Sequence, residues 1–137
     1  MKKVVLVTCA AKKRSGRYPA RDLYVGPFYR ACMEYAESLK PDIIFILSAK
    51  HGLLAPDRTI SYYDETLNRM GVKARRDWAS RVLGQVREKI GASNVEYTIL
   101  AGERYWEFLV EELGNVRLPL KGKGIGKQIQ FLRRNTR

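Results

Sequence analysis

No stretch of this sequence stays apolar for the roughly eighteen residues that a bilayer-spanning helix needs. The opening Met1-Lys2-Lys3 leads into only six apolar or small residues, too few for the core of a signal peptide. A cytoplasmic protein with no membrane partner is therefore expected. Cysteine is scarce. Cys9 falls at a predicted strand end and Cys32 in a predicted helix, and neither has a partner at metal-ligand spacing, so no metal site is expected and a reducing compartment suits both thiols. His51 is the only histidine. A Walker loop is absent because Gln128 follows Lys127 where Ser or Thr would stand, and no dinucleotide fingerprint occupies the first crossover. The cofactor is thus left unspecified.

Acidic residues are nearly missing from both ends of the chain. Residues 1–30 hold eight Lys or Arg against one acid, and residues 117–137 hold seven against none, so the formal charge of +12 belongs to the two terminal segments. Brought together by a fold, they make one patch suited to phosphate. Left apart, they are a solvated basic surface and a frayed tail.

Three short runs are apolar without polar alternation: Lys3 to Cys9, Asp42 to Ser48 and Val95 to Ala101. Each reads as a strand covered on both faces, and the helical segments between them imply a parallel sheet with crossover helices. Pro27 to Leu39 is a predicted helix, with Pro27 suited to its first turn and Pro41 stopping it. Gly71 to Ile90 and Glu103 to Leu113 show helical apolar spacing and are each followed by glycine. Val116 to Leu120 reads as a last short strand and Ile125 to Arg134 as a closing helix. The expected fold is one three-layer α/β domain over residues 1–137, with a mostly parallel sheet of about four strands and helices on both faces.

Ligands of open α/β sheets bind beyond the carboxyl ends of the strands. The loops that matter are then Cys9 to Lys13, Ser48 to Leu54 and Ala101 to Tyr105. Cys9 is a candidate nucleophile, its thiol pKa depressed by Lys12 and Lys13, or else a small apolar filler. His51, after Ser48 and Lys50 and before Gly52, is a candidate acid or base, or else caps the strand end. Gly124 and Gly126 free backbone N–H groups for a phosphate beside Lys127, unless the segment is only a solvated connector. The stretch Asp57 to Met70, with Tyr62 and Tyr63, is too polar and aromatic for an ordinary connection and reads as a lid or binding wall.

The chain resembles a family of small bacterial, archaeal and phage domains related to the YaaA peroxide-stress proteins and to the core domain of archaeosine synthase. The likeness rests on Ser48, His51, Gly52, Leu53, Leu54, Pro56, Ile60 and Tyr63, and on Cys9 with Lys12. Leu100-Ala101-Gly102 with Glu103 and Tyr105, and Gly124 to Gln128, add weaker pieces. Archaeosine synthase carries Pro-Cys-x-x-x-Lys-Pro-Tyr after its first strand; here Cys9 and Lys13 are kept, but Thr8, Arg14 and Ser15 replace the other residues. The resemblance implies a nucleic-acid or nucleotide ligand.

Residues and resemblance together lead to a nucleotide- or nucleic-acid-binding domain, expected to be an enzyme acting on a nucleobase or nucleotide. Cys9, Lys12, Ser48 and His51 are its reactive cluster. Lys12, Arg21 and Lys127 are expected to hold phosphate, Tyr63 and Tyr105 to shape a base pocket, and Lys13, Tyr24, Lys50, Gly102, Gly124 and Gly126 to complete the ligand site. The rivals are a non-catalytic DNA- or RNA-binding module with basic ends and a small-molecule enzyme taking other anions. Oligomeric state is open.

Overall fold

The structure is a computed structural model that describes residues 1–91 and 94–137. Strand β1 (Lys2–Thr8) lies at the centre of a five-stranded sheet. Its residues Val4 to Val7 are buried on both faces, which is why the run carries no polar alternation. β3 (Ile43–Ser48) pairs with it in parallel on one side, Val4 opposite Ile43. β6 (Val95–Leu100) pairs in parallel on the other side, Val4 opposite Tyr97. β7 (Val116–Arg117) continues the sheet beyond β6 in parallel. β4 (Gly52–Leu54) closes the opposite edge, antiparallel to β3. A short antiparallel ribbon of β2 (Arg17–Pro19) and β5 (Thr59–Ser61) stands apart from this sheet.

From β1 the chain crosses to β3 in one direction, and from the β3–β4 edge it returns past β1 to β6. Right-handed crossovers in opposite directions put their helices on opposite faces. On one face lies α2 (Pro27–Ser38), packed on β1 and on α6 (Ile125–Asn135); on the other lies α3 (Val72–Lys89), packed on β4. The expected layered architecture is therefore observed, with a sheet of five strands where about four were expected. The additional strand is β4. Gly-Leu-Leu is too short to read as a strand, and it becomes one because the chain turns back at His51 and buries Leu53 and Leu54 against β3.

Helix boundaries follow local chemistry. Pro27 occupies the first turn of α2, where its missing N–H costs nothing. Pro41 disfavours helical geometry at Lys40, which takes a left-handed φ of 50° and ends the helix. Glu103 to Leu113 is not the single helix expected. It divides into α4 (Glu103–Trp106) and α5 (Val110–Leu113), with the Leu109 N–H bonding back to the Trp106 carbonyl at 2.9 Å. The break sets Glu107 against Arg75 of α3 and buries Leu109 completely, tertiary gains that override helical spacing. α1 (Ala20–Leu23), following β2, and the single turn Leu67–Arg69 complete the elements.

Candidate functional site

The parallel sheet places the carboxyl ends of β1, β3 and β6 at one edge, so Cys9, Ser48 and Gly102 emerge on the same side, as their strand runs implied. Strand order reverses at β1. Between the ends of β1 and β6 opens a cleft of about 520 Å3, at the switch point where α/β sheets take ligands. Its floor is Thr8, Cys9 and Tyr105, and its apolar walls include Val25, Pro27, Phe28, Ile125 and Ile129. Lys12 stands at its rim, with Thr66, Asn68 and Gln128 the polar side chains nearby. Residues of three helix starts line it: Gly26 to Phe28 of α2, Gly102 before α4, and Ile125 of α6. The starts of α2 and α6 carry no side-chain cap and no acid in their first turns, which favours an anion near them, whereas the four-residue α4 begins with Glu103.

Behind the floor is a hydrogen-bonded cluster of hydroxyls and one thiol. The Cys9 thiol donates to the Tyr105 hydroxyl at 3.4 Å. The Ser48 and Tyr63 hydroxyls bond at 2.8 Å, and the Tyr24 hydroxyl bonds Tyr63 in turn. Ser48 is completely buried; its Oγ accepts the His51 backbone N–H at 3.0 Å and its carbonyl accepts the Trp78 indole N–H at 2.8 Å. Every one of these groups has a partner. Among the described residues, no buried side-chain nitrogen or oxygen lacks one.

Electrostatics corrects one expectation. The Cys9 thiol was expected to be acidified by its lysines, but burial pushes its pKa above the ordinary value of 9.0, outweighing the Tyr105 hydroxyl, the Ala49 backbone and the Lys13 charge that act the other way. The resting thiol is protonated. Lys13, rather than Lys12, is the lysine whose charge bears on Cys9: its ammonium stands 4.5 Å over the Tyr63 ring, and partial burial lowers its pKa. Burial also raises the phenols, Tyr24 to about 12 and Tyr63 and Tyr105 further, so all three are neutral donors and acceptors near pH 7.

The other residues singled out from the sequence divide by place. His51 lies in the β3–β4 turn, edge-on to the Tyr63 ring at 5.6 Å, and is not among the residues that line the cleft. Its imidazole pKa is lowered by partial burial and by Arg58, Lys50 and Arg81, which leaves it neutral near pH 7. Lys50 is exposed, and its carbonyl accepts from Arg81. Arg21 stands outside the cleft, paired with Glu37 over a separate groove. Gly124, Gly126 and Lys127 are exposed at the start of α6, next to the lining residues Ile125 and Gln128. A second cavity of about 590 Å3, bordered by Tyr35, Leu39, Glu96 and Arg117, lies around the amino-terminal half of β1, away from the thiol.

Gly52 fixes the turn that carries His51. Its φ is +71°, and a Cβ there would meet the Gln85 Oε1 at 2.3 Å. Gln85 spans the turn, accepting the Leu53 N–H at 2.8 Å and donating to the His51 carbonyl at 3.1 Å. Sequence reading passed over Gln85, and also Arg75, the only buried charged side chain among the described residues. Arg75 donates to Glu107 at 3.1 Å and to the Met70 carbonyl at 2.6 Å. It thereby joins the end of the Thr66–Asn68 wall to the helix that carries Tyr105. The signal was present: Arg75 shares the apolar face of α3 with Trp78, Ala79, Val82 and Val86.

No group of three His, Cys, Asp or Glu side chains suited to a metal ion occurs among the described residues, and none of their helices is long and apolar enough to cross a membrane. A Bacillus subtilis (strain 168) protein described as uncharacterized, YfjM, is 33% identical over 145 residues, which cover 98% of this chain and 95% of that protein. The model of a family of unknown function, DUF6884, matches residues 4–134, taking in both the cleft and the cluster behind it. On that match across nearly its whole length, this chain belongs to the DUF6884 family.

Proposed function

We propose that the cleft receives the base and phosphate of a nucleotide, free or within a nucleic acid, and that the domain is a cytoplasmic enzyme of transferase or lyase type acting on that base. The observation that carries this reading is a thiol at the floor of a largely apolar cleft lined by Lys12 and by the uncapped starts of two longer helices, α2 and α6. A flat heterocycle suits the walls, and its phosphate suits the mouth. The likeness of the Ser48 to Tyr63 segment to YaaA and archaeosine synthase supports the choice of a nucleic-acid ligand.

In this reading Cys9 Sγ forms a bond to an electrophilic ring carbon as that carbon's π-electron pair moves to the adjacent ring nitrogen. The thiol proton passes through the Tyr105 hydroxyl to that nitrogen, so the step is a balanced addition. Lys13 steadies the charge developing on sulfur, and the protonated resting thiol is shielded from side reactions until the cleft is filled. A second reading, a binding module without chemistry, is favoured by one observation: the thiol is buried and already bonded to Tyr105, as a structural cysteine would be.

Calorimetric titration of nucleoside 5′-monophosphates into the parent, Lys12→Ala and Cys9→Ser proteins tests the site. Removing the Lys12 charge is expected to cost about 1.5–3 kcal/mol of affinity, a loss of roughly 10- to 150-fold. Cys9→Ser is expected to bind within a few-fold, and bound nucleotide is expected to slow iodoacetamide labelling of Cys9 in the parent. Covalent capture of a base analogue by the parent but not by Cys9→Ser selects the enzyme over the binding module. A folded Lys12→Ala protein that binds as tightly as the parent removes the site in either version.

A further inference from the structure

The β2–β5 ribbon is set apart from the main sheet, and its composition is one-sided. Residues 10–20 and 58–63, which form the ribbon and its approaches, contain Lys12, Lys13, Arg14, Arg17 and Arg58 and no acid; Asp57 and Asp64 flank the second segment, and Asp64 is paired with Arg69. Among the described residues, none of these five cations is in an ion pair. Cations without carboxylate partners, gathered on a ribbon separate from the main sheet, favour a polyanion.

Aromatic rings interleave with these cations. Tyr62, held next to Gly16 by a 3.0 Å backbone bond, is one of the few large apolar side chains left exposed, at 49%. Arg14 lies 5.7 Å over the Tyr18 ring, and Lys13 lies between two rings, 5.9 Å from that of Tyr62 and 4.5 Å from that of Tyr63. Lys13 therefore links the exposed ring of the ribbon to the buried cluster behind Cys9. An exposed ring among cations offers a stacking surface to an unpaired base, whereas the bases of a duplex are already stacked on one another.

We propose that the β2–β5 ribbon is a platform for single-stranded nucleic acid, on which Tyr62 stacks one base while Arg14 and Arg17 neutralise backbone phosphates. This deepens, and rests on, the reading of the cleft as a nucleotide site: the substrate becomes a polynucleotide, with the strand running across the ribbon from the nucleotide whose base enters the cleft.

Fluorescence anisotropy with a labelled ten-nucleotide oligo(dT) and oligo(U), a duplex of the same length and a labelled mononucleotide provides the test. The single strands are expected to bind at least tenfold more tightly than the mononucleotide and the duplex. Tyr62→Ala is expected to weaken single-strand binding roughly 5- to 150-fold, the usual range for one stacked base, while Tyr62→Phe keeps the ring and the affinity. Arg14→Ala with Arg17→Ala is expected to flatten the slope of log affinity against log salt by about 1.4, at about 0.7 per phosphate contact. A Tyr62→Ala protein that binds single strands like the parent overturns the platform, as does a duplex bound equally well. The two proposals fail separately. Tight mononucleotide binding lost in Lys12→Ala but blind to Tyr62 leaves the cleft and removes the ribbon, whereas single-strand binding sensitive to Tyr62 but blind to Lys12 does the reverse.

Discussion

Replacing Arg75 by methionine keeps the stem that packs in α3 and removes the guanidinium that joins Met70 to Glu107. Two consequences follow from the geometry. The Met70 carbonyl loses a charged donor at 2.6 Å, and the Glu107 carboxylate loses its partner at 3.1 Å. A fully buried ion pair broken from one side costs about 3–5 kcal/mol, but the Glu107 side chain is 22% exposed and regains water, so the whole change is put at about 3 kcal/mol. With an unfolding entropy of about 2 cal/mol/K per residue, each kcal/mol moves the Tm of a 137-residue chain by about 3–4 °C. The expected drop is about 10 °C. Glu107→Gln retains an acceptor and is expected to cost about 1 kcal/mol, and the double variant is expected to show a coupling of about 1–2 kcal/mol in urea denaturation. Because Arg75 holds the wall bearing Thr66 to the helix bearing Tyr105, the same variant is expected to speed iodoacetamide labelling of Cys9 in the folded protein. A Tm within about 2 °C of the parent, or additive single changes, refutes the argument that this pair holds the cleft walls together.

Stability is expected to fall on both sides of a plateau between about pH 7 and pH 9, as the urea midpoint would show. The Cys9, Cys32 and Tyr63 pKa values are raised by burial, so their contribution is complete below their unfolded values and is lost as the pH climbs through the folded ones, beginning above about 9. His51 acts oppositely: its pKa is lowered, so its contribution is present above 6.5 and disappears as the pH falls through the folded value. A midpoint unchanged from pH 5 to pH 10 contradicts these directions. Gly52→Ala is expected to destabilise by about 1–3 kcal/mol, from the left-handed backbone and the Gln85 contact together, and Gln85→Ala in the same chain is expected to return part of the loss. Equal cost in both backgrounds, measured by thermal melting, removes the steric part of that account.

Parallel strands were legible because burial on both faces leaves a run such as Lys3 to Cys9 without alternation, and three such runs fix which loops share an edge. The β4 strand was not, because three residues carry no period and become a strand only through pairing with Ile46 to Ser48. The same limit applied to the site. Cys9, Lys12, Gly102 and Tyr105 were singled out from their positions after strand ends, and these positions line one cleft, whatever its use. His51 also follows a strand end, yet its chain turns back at once into β4, and it does not line the opening. The sign of the Cys9 shift was missed because neighbouring lysines are visible in a sequence and the depth of burial is not. Arg75 shows the converse, a residue whose place on an apolar helix face was readable and whose partners lie 32 residues away and at a loop carbonyl.

The central position of β1 sets an order of events during synthesis. It is made before either of its neighbours, and Val4 must wait about forty residues for Ile43 and about ninety for Tyr97, contacts of long sequence separation that slow assembly. The floor of the cleft needs both neighbours. Until β6 and Tyr105 have emerged, the Cys9 thiol has neither its lid of protein nor its hydroxyl partner, and the nascent chain carries an open, oxidisable sulfur next to an unpaired apolar strand. Over the roughly hundred residues between the making of β1 and that of Tyr105, the thiol that ends up buried is protected only by whatever covers the growing chain.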